Sequence, residues 1–113
     1  LPVPGAATAK IFLTFGDRPA MDAVARRLAP GFDLAGLRAT VEREKLVRVS
    51  GDVIPGLRAT AAPVFDLQGR LVLVATCLAH DAFDPKDDAA VGTALLRTCR
   101  AVTAALGGNW PEN

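Results

Sequence analysis

Leu57-Arg58-Ala59-Thr60-Ala61-Ala62-Pro63-Val64-Phe65-Asp66-Leu67-Gln68-Gly69-Arg70-Leu71-Val72-Leu73-Val74-Ala75-Thr76-Cys77-Leu78-Ala79 is the stretch that decides the fold. Two apolar runs, Leu57 to Phe65 and Arg70 to Ala79, flank the short polar segment Asp66 to Gly69, where Gly69 can take the positive φ that a tight hairpin loop requires. The spacing predicts a pair of antiparallel strands. From Leu71 to Leu78 nearly every position is apolar, which predicts the central strand of a sheet, one face covered by helices and the other by further structure or a ligand. Pro63 has no N–H to give to a ladder, so an edge or a bulge is expected there.

Upstream of the hairpin the pattern is helical. Ile11, Leu13 and Phe15 fall in a short run that Gly16 and Asp17 close. Asp17 can cap a second helix with Pro19 in its first turn, and Met21, Val24, Ala25 and Leu28 recur at helical spacing before Ala29-Pro30-Gly31 stops them. Asp33 can cap a third helix, in which Leu34, Leu37 and Val41 are the expected buried stripe. Arg38, Glu42, Arg43, Glu44 and Lys45 are expected on its solvated side. At Leu46 the period changes to two, with Val47 and Val49 flanking Arg48 in a strand and a loop at Ser50-Gly51-Asp52 and Pro55-Gly56.

Downstream, Asp84 is placed to cap a last helix, with Pro85 in its first turn, Asp87 adding negative charge at its N-terminus and Gly107-Gly108 ending it. Val91, Leu95, Thr98, Cys99, Val102 and Leu106 form the face expected to lie on the sheet. Helices and strands in this order predict one α+β domain over residues 1–113. Its apolar opening, Leu1-Pro2-Val3-Pro4-Gly5, lacks an initiator methionine and suggests a piece of something larger.

Composition narrows the function. Half of the 113 residues are hydrophobic, enough for one packed core and too many for a disordered chain. The net charge is +1 and the basic residues are scattered, so the electrostatic footprint of direct DNA binding is missing. The longest apolar run, Leu71 to Ala75, is far short of the ~20 residues of a membrane span, and no secretory leader opens the chain. A cytoplasmic protein without membrane contact is expected.

Few residues could do chemistry. Cys77 and Cys99 sit in apolar stretches and read as reduced core thiols rather than a disulfide scaffold. His80 is the one histidine, and three residues from Cys77 on a strand their side chains fall on opposite faces, so no catalytic dyad is expected. Cys77, His80 and Cys99 match no zinc spacing, while Asp81, Asp84, Asp87 and Asp88 lack the glycine and terminal glutamate of a calcium loop. No enzyme, metal or cofactor is expected. Gly5 to Lys10 has too few glycines for a nucleotide loop, yet it can offer helix N-terminal amides to an anion.

Arg58 to Asp66 followed by Gly69-Arg70, with Asp52 and Pro55-Gly56 upstream, resemble the IclR family of bacterial transcriptional regulators, in its effector-binding domain. Lys10-Ile11-Phe12-Leu13 and the Leu106-Gly107 ending extend the likeness over essentially the whole chain. The resemblance implies a GAF-like antiparallel sheet with helices on both faces. It also implies an upstream winged helix-turn-helix that binds DNA and first strands of the sheet, both outside these residues. A sheet without those strands has an unpaired edge, so a homodimer or a dimer of dimers is expected.

In the family small and aromatic acids bind between the sheet and the segment matching Gly5 to Lys10. The corresponding positions are Ala7, Thr8, Val49, Ala59, Thr76 and Leu78, with Thr8 and Thr76 as the hydrogen-bonding groups. Where relatives can carry an acid, a cysteine and a second hydroxyl, this chain has Val49, Ala59 and Leu78, and Ala9 stands beside Lys10 in place of a glycine. A pocket with so few polar groups suits an aromatic or aliphatic acid better than glyoxylate or pyruvate. The expected role is an organic-acid sensor for a DNA-binding regulator; the alternative is a stand-alone ligand-binding or dimerisation module.

Overall fold

The computed structural model describes residues 6–50, 55–80 and 87–112. The expectations placed on Gly5, Gly51, Asp52, Asp81, Asp84 and Pro85 lie outside the described residues. Helices α1 (Ala7–Phe15), α2 (Arg18–Leu28) and α3 (Leu34–Glu44) come first, then strands β1 (Val47–Ser50), β2 (Leu57–Phe65) and β3 (Leu71–His80), and last α4 (Asp87–Ala105).

The helix ends follow local chemistry. Asp17 accepts a hydrogen bond from the Ala20 amide at 3.2 Å and Asp33 one from the Gly36 amide at 3.0 Å, so α2 and α3 each start on a carboxylate cap. At the end of α4, Gly107 adopts φ +71°; its amide bonds the Ala104 carbonyl and that of Gly108 the Thr103 carbonyl, at 3.0 and 2.7 Å. This is a Schellman close, open to glycine because it has no Cβ to oppose the left-handed turn. Gly69 turns the β2–β3 hairpin at φ +74°.

The sheet runs β1-β2-β3, antiparallel throughout. On one face Ala7 and Ile11 of α1 and Val41 of α3 pack with Val47 and Ala61; on the other Leu95 and Cys99 of α4 pack with Ala62 and Val64. The small side chains at the centre of β2, Ala61 and Ala62, let a helix approach closely on each side. Phe65 joins the layers, its ring edge-on to Phe15 at 5.1 Å and to Trp110 at 5.4 Å. The architecture is α+β with helices on both faces of an antiparallel sheet.

Several expectations are corrected. β2, not β3, is the central strand: Thr60 to Phe65 are all buried. Among the described residues β3 pairs with β2 alone, leaving Val72, Leu73 and Leu78 at 49, 57 and 69% exposure. Within the described sheet an unbroken apolar run therefore stands at the edge, because strand order is not encoded in periodicity. The expectation about Pro63 holds in modified form. It pairs with Val74 on β3 beyond the last β1 partner, Ala61, so it lies where β2 has one neighbour; a bulge follows at Val64/Phe65.

The buried stripe of α4 is Gly92, Leu95, Cys99 and Thr103, while Val91, Thr98, Val102 and Leu106 face outward. Thr103 belongs inside because its hydroxyl accepts a hydrogen bond from the buried Phe65 amide at 3.1 Å. Leu28 of α2 is likewise exposed, and Leu34 and Leu37 are only half-buried.

Arg38 and Lys45, expected in solvent, are buried. Arg38 Nε donates to the Leu13 carbonyl at 2.9 Å and Nη1 pairs with Asp22 at 2.6 Å, tying α1, α2 and α3 together. Lys45 ends α3 in a left-handed conformation and Nζ donates to the Glu42 carbonyl at 2.7 Å; burial pushes its pKa down. Cys77, expected in the core, is exposed on the edge strand, whereas Cys99 is buried.

Candidate functional site

Cross-strand register assembles the site. Val49 pairs with Ala59 and Ala59 with Leu78, so these three positions form one row across the sheet; Val47, Ala61 and Thr76 form the next. Alternation puts both rows on the face that α1 covers. Val49 and Ala59 are half-buried against the cluster that contains Ala7 and Ile11, and Leu78 at the edge is open to solvent.

Helix α1 begins beside these rows. The hydroxyls of Thr8 and Thr76 lie 2.8 Å apart, a direct hydrogen bond between the first turn of α1 and β3. The N-cap residue of α1 is Ala6, which supplies no side-chain bond, and the first helical bond runs from the Lys10 amide to the Ala6 carbonyl. The amides ahead of Lys10 therefore have no partner within the helix, and no acidic side chain stands in the first turn. That contrasts with α2 and α3, both capped by aspartates. A positively polarised helix start without a side-chain cap, next to two hydroxyls and an apolar row, is suited to an anion.

The six positions named from the sequence are placed as follows. Ala7 is a core residue at 3% exposure, packed in the cluster that Val49 and Ala59 adjoin. Thr8 meets Thr76, and Val49, Ala59 and Leu78 share a row. Cys77 pairs with Thr60 and points to the opposite face from Thr76, so it takes no part. The His80 carbonyl accepts from Arg58 Nη1 at 3.3 Å. Among the described residues no three His, Cys, Asp or Glu side chains come together as a metal site.

Sequence reasoning missed the other side of the same strands. Arg58 Nε and Nη2 grip both carboxylate oxygens of Asp88, at 2.9 and 3.3 Å, and Arg48 Nη2 donates to the Asp88 carbonyl at 3.3 Å. The available signal was alternation: arginines next to Val49 and Ala59 must face the opposite layer.

No protein-family model and no curated protein matches the sequence. Solved structures do. Over 96% of the chain, HmgR of Pseudomonas aeruginosa superposes with a TM-score of 0.83 at 27% identity. An IclR transcriptional regulator from Alicyclobacillus acidocaldarius matches over 96% of the chain with a TM-score of 0.75 at 26% identity. This chain has the fold of the IclR-family effector-binding domain. The inducer-binding domain of PobR from Acinetobacter, solved as a double mutant with 3-hydroxybenzoic acid, shares that IclR-type fold over 91% of the chain, with a TM-score of 0.73 at 22% identity. The chain spans about half the length of the first two structures, 46% and 47%, and 66% of the PobR domain, and its sheet has fewer strands than a full IclR-type domain. No described helix is long and apolar enough to cross a membrane.

Proposed function

We propose that this chain is the effector-sensing domain of an IclR-type transcriptional regulator, and that it binds a carboxylic acid at Ala7, Thr8, Val49, Ala59, Thr76 and Leu78. The observation that carries this reading is the Thr8–Thr76 contact at 2.8 Å, which sets two hydroxyls against the uncapped start of α1. The acid's carboxylate takes the amides at Ala7 and Thr8, which have no partner within the helix, and its body lies along Val49, Ala59 and Leu78. Three apolar residues in that row favour an aromatic or aliphatic acid over a two- or three-carbon one. The 3-hydroxybenzoic acid in the PobR complex belongs to the favoured class.

In this reading residues 1–113 are one non-enzymatic domain of a cytoplasmic regulator that contacts DNA through a winged helix upstream. Effector binding shifts the populations of a homodimer or a dimer of dimers. The test is calorimetric titration and thermal shift with 3-hydroxybenzoate and octanoate against glyoxylate and pyruvate. A ligand that prefers the folded state raises its melting temperature, so the larger acids should raise it and the smaller ones should not. Binding of the small acids alone would refute the assignment.

The outer edge of β3 favours a second reading, a self-associating binding module with no DNA partner, because that edge pairs with nothing among the described residues. The coding region upstream of Leu1 separates the two, since a winged helix there excludes the module.

A further inference from the structure

The strand residues beside the site are arginines, and both reach the same turn of α4. Arg48 precedes Val49 and Arg58 precedes Ala59, so the two guanidinium groups leave the sheet on the face opposite the site. Arg58 holds the Asp88 carboxylate through a two-pronged pair whose side chains are only 12 and 26% exposed. Arg48 donates to the Asp88 backbone carbonyl, and its guanidinium crosses α4 so closely that a Cβ at Gly92 would stand 2.1 Å from Nη2. Arg58 Nη1 also reaches the His80 carbonyl, where β3 ends. β1 and β2 thus meet the first turn of α4 through Arg48 and Arg58, and Arg58 ties in β3, at the end of the sheet that carries Val49, Ala59 and Leu78.

We propose that Arg48 and Arg58 are positioning residues that link occupancy of the acid site to the placement of the N-terminal turns of α4, making that segment the domain's output. The inference rests on the acid-site reading. A ligand wedged against Val49 and Ala59 displaces the backbone of β1 and β2 by fractions of an ångström. The neighbouring arginines, Arg58 in two-point contact with the Asp88 carboxylate and Arg48 in a single bond to its carbonyl, carry that shift through the sheet. A bidentate guanidinium–carboxylate pair transmits direction as well as attraction, because its planar geometry tolerates little rotation. The opposite end of α4 is held separately by Thr103 on the Phe65 amide, so the shift is felt at its N-terminal turns.

Hydrogen exchange of the whole protein, resolved by peptide and measured with and without saturating 3-hydroxybenzoate, tests the link alongside calorimetric titration. The wild type should change exchange in both the β1–β2 region and Asp87–Leu95 on binding, by about fivefold or more. In Asp88→Asn the acid should still bind and still change β1–β2, while the response of Asp87–Leu95 shrinks, because only the Arg48 bond to the backbone carbonyl at position 88 still links strand and helix at full strength. If Asp88→Asn does not fold, Arg58→Lys keeps the charge, loses the second prong and should give the same separation. A full α4 response in either folded variant overturns the proposal. Binding to the wild type with no change in α4 overturns it too but leaves the acid site standing, whereas no binding of any acid tested overturns both.

Discussion

The Thr8 hydroxyl in the first turn of α1 and the Thr76 hydroxyl on β3 lie 2.8 Å apart although 68 positions separate them in the chain. The bond ties the start of a helix to the edge strand of the sheet beneath it. One hydroxyl must donate and the other accept, so each keeps capacity for a further partner.

Thr76→Val removes one hydroxyl and keeps the shape. Unfolding in urea should shift by less than ~1 kcal/mol, the net worth of one exposed hydrogen bond, while affinity for 3-hydroxybenzoate falls about tenfold. Thr8→Val should behave alike, and the double variant should be no worse than either single one, because the groups act as a pair. Unchanged affinity in all three would remove the hydroxyls from the site.

Arg38→Ala should destabilise the domain by about 2–4 kcal/mol in denaturant titration, since it strips the Leu13 carbonyl of its donor and leaves a gap between three helices. Asp22→Asn should cost less than ~1 kcal/mol, because the Asp22 side chain is 41% exposed and solvent screens the charge it contributes. Equal losses in the two variants would contradict this division.

Thiol labelling with an aromatic disulfide at neutral pH should find one reactive group in the native protein. Cys77 is exposed, whereas Cys99 is buried and its pKa is pushed up by that burial and by the nearby Cys77 thiol. The second thiol should appear only in denaturant, and Cys77→Ser should abolish the native reaction.

Asp66 sets the pH response of the hairpin. The Arg70 amide, then that of Gln68, bonds its carboxylate at 2.9 Å and holds the pKa below the ordinary 3.8, against a smaller opposing effect of desolvation. A group depressed in the folded state stabilises fully above its unfolded pKa and loses that contribution as pH falls through the folded one. The stability advantage of the wild type over Asp66→Ala should therefore be constant near neutral pH and shrink below about pH 4. An advantage that grows with acid would reverse the assignment.

Much of this was legible in the residues. Asp17 and Asp33 announced two helix starts, Gly69 the hairpin and Gly107 the last helix end, because caps and left-handed turns depend on neighbours within a few positions. Strand alternation also put Thr76 and Leu78 on one face, and the structure adds the partner across from Thr76. Burial of charge was not legible: Arg38 looks like any helix-surface arginine until the Leu13 carbonyl, 25 positions away, is placed beside it.

By itself the sequence determined the elements, their boundaries within the described residues to a residue or two, and the kind of residue at each site position. These follow from dihedral preference and local hydrogen bonding, which act over a few residues. Only the tertiary structure decided that β2 rather than β3 is central, that α4 seats Gly92 and Thr103 inward, and that Arg48 and Arg58 converge on Asp88. Strand order and helix rotation depend on which distant backbone groups and apolar faces remain to be satisfied once every layer is in place, and no single segment carries that information.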